Sequence, residues 1–343
     1  MIIIILFFLL LSVFLYALLG GADFGIGILE LLSSKKNKEL TKSNAYRVIG
    51  PVWEVNHVWL IIALVILWVG FPYFFNIMVL NLHIPMTLVL LGIIVRGVAF
   101  VFRHYDAVQD HSQKIYDRLF RWSSLFTPFF IGLCFGALFG GNINPPENYQ
   151  TLSEFSFSEL FIFPWLNWFS INVGLFFSAL CAFNSSIFMI GESDFDQAKR
   201  YSRKAQFSNI FLAISGLWVF FSSIYTSQIS LNYLFERTEL IILFVLLIVV
   251  LQFLIWYFLA KLSKIMLRVM TAFLSLVLVA IPFTAISFQF QSNIEMFQFQ
   301  YLRQTHFYLA ISLIMGSIFI IPGLIHLLKT FGMIKIFDKQ ADN

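Results

Sequence analysis

The sequence predicts an all-α polytopic membrane protein, and three observations lead to that class. Of its 343 residues, 59% are hydrophobic and only 12% are charged, whereas soluble domains carry about 25% charged residues. Apolar stretches of about 20 residues, the length that crosses ~30 Å of hydrocarbon, recur along the chain. The basic residues collect in alternate loops between these stretches. We therefore expect one integral membrane domain over 1–343.

Nine stretches have the length and composition of a membrane-spanning helix. The division between the second and the third is the weakest, because Gly70, Pro72 and Pro85 serve as the breakers there and no charge separates the two. The predicted helices cover 2–31, 52–73, 77–102, 120–142, 160–190, 206–228, 238–260, 266–289 and 304–328.

The positions of the basic residues fix the expected orientation. All but Arg237 and Arg303 of the 22 lysines and arginines fall on one side of the predicted membrane. Lysine and arginine are retained on the cytoplasmic side, so the N-terminus is expected outside and the C-terminus in the cytoplasm. The basic charge then serves topology and contact with anionic lipids, and nucleic acid is not an expected partner.

An acidic residue interrupts the first predicted helix. Asp23 stands among glycines in GGADFGIGIL, toward the cytoplasmic half, and Glu30 follows seven residues later on nearly the same helical face. Gly21 and Gly25 form a small-xxx-small pair that lets another helix approach closely. Such an approach could supply the partner that a buried carboxylate needs. An acid at this depth indicates a functional site, although a protonated structural residue is the alternative.

The second predicted helix begins with a polar group at the same depth. Glu54 and His57 are three residues apart and share a face, with Asn56 beside them and Trp53 and Trp59 on either side. A carboxylate, an imidazole and an amide at one level are the parts of a proton path or a quinone-headgroup site. A belt of interfacial tryptophans with polar capping residues explains the same residues without function.

The third predicted helix ends with two arginines. Arg103 is expected to extend to the membrane interface, as long basic side chains do. Arg96 lies seven residues deeper, about 10 Å at 1.5 Å per residue. A buried arginine normally pairs with a carboxylate, and Asp23 and Glu54 are the candidates at that depth.

Haem or metal ligation by this chain has little support in the sequence. His57 and His326 could meet at one depth, but nothing in their spacing indicates a bis-histidine site. Cys134 and Cys181 fall inside apolar runs without metal-binding spacing, which indicates packing roles. We expect no metal site and no haem bound by this chain, while a bound quinone stays open.

Three segments resemble the characteristic motifs of subunit II of cytochrome bd-type quinol oxidases. They are GGADFGIGIL, IGPVWEVNHVWLI and VRGVAFVFR, in the family's order and spacing, where members typically read DGFDLGVG, GPHWDGNEVWL and RPVGFDYR. Looser similarity at KAQFSNIFLAISGLWV and IPGLIHLLKTFG extends the resemblance along the chain. The nine helices agree with the family fold of two four-helix bundles, here 1–142 and 160–289, and a peripheral ninth helix, 304–328.

The resemblance implies a haem-free subunit of a respiratory complex in the bacterial cytoplasmic (inner) membrane. The complex oxidises a quinol, reduces dioxygen to water with cytoplasmic protons, and carries haem b and haem d in subunit I. Subunit II stabilises the complex and helps supply protons, and in some members it holds a structural quinone. A small accessory subunit is a further expected partner.

The matched residues define the predicted site. Asp23, Glu54, His57 and Arg96 form the expected charged cluster for proton transfer, and Trp53, Asn56 and Arg103 the expected quinone or structural site. The sequence departs from the family pattern in several places, which puts a proton route through all the usual carboxylates in question. The departures are Gly20, Val55, His57 and Val101.

Two other functions stay open at this stage. A secondary transporter could use buried acids for proton coupling, although such proteins often contain inverted repeats, and none is visible here. A purely structural subunit would need the same buried ion pair as one that conducts protons. The leading hypothesis is a non-catalytic but required subunit of a quinol oxidase.

Overall fold

A computed structural model describes residues 1–33, 42, 53–105, 113–140, 143, 156–226, 238–291 and 303–330, and all the regular structure in this part is helical. We number the α-helices in chain order; a π-helical turn, Tyr16–Gly20, joins the first two into one continuous helix. The helices are α1 (Ile2–Leu15), α2 (Gly21–Leu31), α3 (Trp53–Gly70), α4 (Pro72–Tyr105), α5 (Gln113–Phe139), α6 (Phe157–Phe161), α7 (Trp168–Glu192), α8 (Phe195–Tyr225), α9 (Thr238–Lys261), α10 (Lys264–Gln291) and α11 (Arg303–Thr330).

Each of the nine predicted spans contains a long helix of the described structure. Eight helices are long and apolar enough to cross a membrane, the first of them the continuous helix Ile2–Leu31. The helix of the second span is shorter, with an apolar part at Asn56–Gly70. The count of nine crossings, the two bundles and the orientation of the termini remain predictions.

The fifth span was predicted wrongly at its start. The prediction placed one helix over 160–190, whereas the short helix α6 is separate and α7 begins only at Trp168. Pro164 lies between them, and proline cannot donate the backbone hydrogen bond that a continuous helix needs. Each helix also has its own N-cap: Ser156 and Glu159 form a capping box at α6, and Asn167 accepts from the Ser170 N–H at α7.

The division between α3 and α4 lies at Phe71, and of the three predicted breakers only Gly70 and Pro72 act there. Pro72 opens α4, the position where a missing N–H costs nothing, while Pro85 lies inside α4. The Gly70 carbonyl bonds to the Nε2 of His306 at 2.8 Å, and His306 is buried. This contact ties the start of α11 to the α3–α4 break.

Helix α7 lies at the centre of the described structure. It packs against α2, α5, α8 and α10, whereas α11 packs against α1 and α3. Small residues make the centre close-packed: Gly132 and Gly136 of α5 meet the α7 backbone at Gly174 and Ser170. Aromatic and aliphatic side chains cover the outward faces of α8, α9 and α11. Lipid or a partner subunit is the environment that suits such faces.

Candidate functional site

A buried charged contact joins α2 to α4. Arg96 donates from Nη1 to Asp23 Oδ2 and from Nη2 to Asp23 Oδ1, both at 2.7 Å, and its Nη2 also donates to the Asp23 carbonyl oxygen at 2.9 Å. Both side chains are almost fully buried, at 3% and 2% exposure. A bidentate guanidinium–carboxylate pair is the arrangement that best offsets the cost of removing two charges from water.

The remaining surroundings of Arg96 come from α5 and from two aromatic rings. Its Nε donates to Ser124 Oγ at 3.0 Å. The guanidinium carbon lies 5.0 Å from the centre of the Phe24 ring and 4.9 Å from that of Phe120. The faces of aromatic rings attract cations, so these rings stabilise the charge where water is excluded.

A second group of ion pairs lies seven residues further along both α2 and α4. Arg103 Nη2 donates to Glu30 Oε2 at 2.7 Å, and Arg121 Nη1 reaches Glu30 Oε1 at 3.3 Å. Arg103 Nε also lies 2.9 Å from Asp117 Oδ1, and Lys42 pairs with the same carboxylate at 2.9 Å. We call these five residues the Glu30 cluster.

The two groups form a ladder with a seven-residue step. Asp23 and Glu30 lie seven residues apart on α2, and Arg96 and Arg103 lie seven apart on α4. Seven residues are nearly two helical turns, so both pairs occupy the same seam between the helices. The Phe120 ring lies between the rungs, with the Arg103 guanidinium 4.7 Å from its centre. One aromatic ring therefore contacts the guanidinium groups of both pairs.

The small-residue face of α2 packs against a different helix from the one that supplies the arginine. A Cβ added at Gly25 would overlap the carbonyl oxygen of Cys181 on α7, and Gly21 faces Asn184 and Cys181. The close approach that the glycines predict therefore exists, but it joins α2 to α7. The suggestion that this approach supplies the partner of Asp23 is wrong, because Arg96 comes from α4 on another side of α2.

Several buried polar atoms of the π-helical turn and of α3 have no hydrogen-bond partner. The unpartnered atoms are the hydroxyl of Tyr16, both amide atoms of Asn56, Nδ1 of His57 and Nε1 of Trp59. The Tyr16 ring belongs to the π-helical turn, and its centre lies 6.3 Å from that of the His57 ring. We call these four residues the Tyr16–His57 group. Buried polar groups are normally bonded, so unpartnered ones indicate a place for water or another ligand.

The structure brings part of the predicted site together. Asp23 and Arg96 are in direct contact, and Asn56 and His57 belong to the neighbouring Tyr16–His57 group. The side chains of Trp53 and Glu54 lie outside the described part of the chain. The roles assigned to these residues stay predictions.

Arg103 differs from its prediction. Its side chain was expected to extend to the interface, yet it is 1% exposed and bonds to Glu30. The reason is that Glu30 and Asp117 supply carboxylates at the level of Arg103, so that its charge is paired without contact with water.

The Glu30 cluster and the residues that border the two arginines were not predicted. Glu30 was noticed for its spacing from Asp23, but its partners were not assigned. The equal seven-residue spacings in α2 and α4 could have indicated two pairs. Ser124, Phe120 and Asp117 lie on α5, and no local sequence pattern predicts their contact with α4.

Comparison with known proteins agrees with this architecture. A relative named cytochrome bd ubiquinol oxidase subunit 2, from Bacillus subtilis (strain 168), is 35% identical over 125 residues, which are 36% of this chain and 36% of the relative. The aligned region thus spans about a third of that relative's length. A bd oxidase structure from Geobacillus thermodenitrificans matches with a TM-score of 0.59 at 16% identity, over 87% of this chain and 96% of that one.

The family comparison covers almost the whole chain. Residues 1–331 match the family described as cytochrome bd terminal oxidase subunit II. Both halves of the ladder and the Tyr16–His57 group lie within this range. The chain therefore belongs to the cytochrome bd terminal oxidase subunit II family.

Proposed function

We propose that this chain is the haem-free second subunit of a bd-type quinol:dioxygen oxidoreductase in the bacterial cytoplasmic membrane. Membership of the subunit II family and the relative's printed name, a ubiquinol oxidase subunit, support this assignment. The membrane-spanning helices support a multi-pass location. The family decides against the secondary transporter, since its description names an oxidase subunit.

The partner of this chain is the haem-bearing subunit I, which holds haem b and haem d. His306 bonds to Gly70, and His83 Nδ1 lies 2.9 Å from the Leu80 carbonyl oxygen, whereas His57 packs beside Tyr16 with its Nδ1 unpartnered. The contacts of His306 and His83 support leaving haem ligation, and with it the reduction of dioxygen, to the partner. Lipids, the quinol pool and a small accessory subunit complete the expected surroundings.

A first role of this chain is to stabilise the complex. The ladder fixes α2 against α4 with two buried pairs, and α2 in turn packs against α7. Removing one member of a buried pair costs about 3–5 kcal/mol, because the other charge is left without a partner. Loss of Asp23 or Arg96 should therefore reduce assembly.

A second role is to supply cytoplasmic protons. Both oxygens of Asp23 already accept from Arg96, so its carboxylate acts as a fixed charge in a pair. The unoccupied hydrogen-bonding capacity lies beside it, in the Tyr16–His57 group. Imidazole, hydroxyl and amide groups with bound water are the components of proton relays inside membranes. The unpartnered, buried Tyr16–His57 group is the observation that carries the proposal.

A bound quinone on this subunit is a further part of the proposal. Of its expected residues, Arg103 is committed to Glu30, which leaves Asn56 with both amide atoms unpartnered. An amide that can donate to a quinone carbonyl supports placing the headgroup near Asn56.

The test separates proton supply from stabilisation with two substitutions in the purified complex. His57→Gln leaves both ion pairs intact, so we expect lower oxidase turnover with unchanged haem content. Asp23→Asn leaves Arg96 without its charge partner, so we expect lower haem content as well. His83→Gln is the matched control, because His83 is exposed and bonds only within α4. Wild-type turnover in His57→Gln would leave a purely structural subunit as the remaining function.

A further inference from the structure

A second set of polar groups, exposed at one end and buried at the other, follows the seam between α7 and α10. Lys264, Arg268, Thr271 and Ser275 recur on α10 at intervals of three and four residues, which places them on one face. This face meets α7 at both ends: Arg268 Nη2 donates to Glu192 Oε1 at 2.5 Å, and Ser275 Oγ lies 3.4 Å from Asn184 Oδ1. The two helices therefore run antiparallel in register over this length.

The seam opens at the membrane side where the basic residues collect. Lys264 donates to the Ser193 carbonyl oxygen at 2.6 Å, just beyond the end of α7. The side chains of Arg268 and Glu192 are 38% and 29% exposed, so their pair lies at the surface of the chain. The charge distribution predicts this side to be cytoplasmic. Glu192 offsets the positive charge of Arg268, which would otherwise repel a hydrated proton.

The inner end of the seam reaches the π-helical turn. Asn184 Nδ2 donates to the Ala17 carbonyl oxygen at 3.3 Å. Ala17 belongs to the same turn as Tyr16, the member of the Tyr16–His57 group closest along the chain to Asp23. The polar groups of the seam thus connect the surface pair Arg268–Glu192 to the neighbourhood of the ladder.

Two buried atoms along the seam have no partner. They are Arg268 Nε and Thr271 Oγ1, and Thr271 is 2% exposed. Buried polar atoms are normally hydrogen-bonded, so these two unpartnered atoms indicate a place for bound water along the seam.

We propose that the α7–α10 seam holds a file of bound water molecules from the Arg268–Glu192 pair to Asn184. Its partners along the file are Thr271 and Ser275, and it gives protons a second way from the surface to the buried groups around Asp23. This use of the water rests on the proposed function; the presence of the water does not.

The first experiment looks for the water itself in the intact complex. An electron cryo-microscopy map that resolves ordered water should show density within hydrogen-bonding distance of Thr271 Oγ1 and Arg268 Nε. The isosteric variant Thr271→Val should lose the first of these. A seam without water density in the wild-type complex overturns the proposal, whatever Asp23→Asn does to turnover.

The second experiment measures proton-dependent turnover of the complex in liposomes. Thr271→Val should lower it roughly fivefold, the factor that corresponds to one lost hydrogen bond of ordinary strength. Ser178→Ala is the control, because Ser178 is a buried α7 hydroxyl that donates to Gly174 O in its own helix. Should Thr271→Val fail to assemble, Ser275→Ala removes the next hydroxyl. Unchanged turnover in the assembled variant overturns the proton role.

Discussion

Arg96 illustrates how a full charge is held inside this protein. Its three nitrogens donate to the Asp23 carboxylate, the Asp23 carbonyl and the Ser124 hydroxyl, and two rings cover its faces. Each contact replaces a water molecule that the membrane interior cannot provide. A buried arginine is tolerated when its N–H groups are hydrogen-bonded and its charge has a partner.

The two arginines that bind Glu30 should differ in importance. Arg103 is 1% exposed, whereas Arg121 is 19% exposed and can be replaced in part by water. We expect Arg103→Gln to destabilise the protein by about 3–5 kcal/mol, and Arg121→Gln by no more than about 1 kcal/mol. Thermal inactivation of the detergent-solubilised complex measures both. Equal losses would contradict the assignment of Arg103 as the main partner of Glu30.

At the scale of the helices, close approach decides where polar groups meet. α2 touches α7 through Gly21 and Gly25 and faces α4 with Asp23 and Glu30, so a single short helix fixes two neighbours by different means. The glycine contact requires the backbones of α2 and α7 to approach closely. The ladder requires the carboxylates of α2 and the guanidinium groups of α4 to lie at the same level along the two helices. α2 also packs against α5, where Gly27 faces Ser124.

The contact of α2 with α7 predicts a sharp difference between two glycines. Gly25→Ala places a methyl group on the Cys181 carbonyl oxygen, and overpacking of this kind costs about 1–3 kcal/mol. Gly316→Ala meets nothing within 4 Å in α11. The yield of assembled complex should therefore fall for Gly25→Ala alone. Normal assembly of Gly25→Ala would show that α2 and α7 are less closely packed than described.

The capping box of α6 predicts a pH effect outside the membrane-spanning helices. The N–H and hydroxyl of Ser156 donate to the Glu159 carboxylate, which lowers the pKa of that carboxyl from its ordinary value of 4.5. A lowered pKa stabilises α6 fully above pH 4.5, and this contribution disappears as the pH falls through the pKa of the folded state.

Hydrogen exchange measures this effect on the amides of α6. We expect faster exchange, corrected for the intrinsic pH dependence, in acid than at neutral pH. In Ser156→Ala the difference between the two conditions should shrink, because the donor hydroxyl is gone. A pH difference of the same size in both proteins would contradict the role of the capping box.

For the whole molecule, the separation of charge predicts how the chain is inserted. Lys261 is exposed at the end of α9, on the side rich in basic residues, and Phe157 is 62% exposed at the start of α6, on the other side. Lysine and arginine resist translocation, which places Lys261 in the cytoplasm and Phe157 outside.

Labelling of introduced cysteines tests this orientation in intact cells. A maleimide that does not cross membranes should label Phe157→Cys directly and Lys261→Cys only after permeabilisation. Cys134 and Cys181, which are partly and fully buried, provide the background in the unsubstituted protein. The opposite pattern would invert the topology and place the Glu30 cluster on the outer side.

The sequence by itself determined the helical class, the positions of the apolar spans and the family. The length and apolar content of each span and the alternation of basic loops can be read from neighbouring residues. The motifs around Asp23, Asn56 and Arg96 are likewise each continuous in the chain. It also indicated the Asp23–Arg96 pair, because few residues of opposite charge share that depth. A break inside a span was harder to predict, since the caps of α6 and α7 compete with an apolar run that favours continuity.

Tertiary structure decided which groups meet. The pairing of Arg103 with Glu30 rather than with the interface, the Phe120 ring between the arginines, and the contact of Gly25 with α7 all join segments distant in the chain. So does the polar seam from Arg268 to Asn184. Helical periodicity fixes which residues share a face, but the rotation and height of one helix against the next come only from packing all of them together.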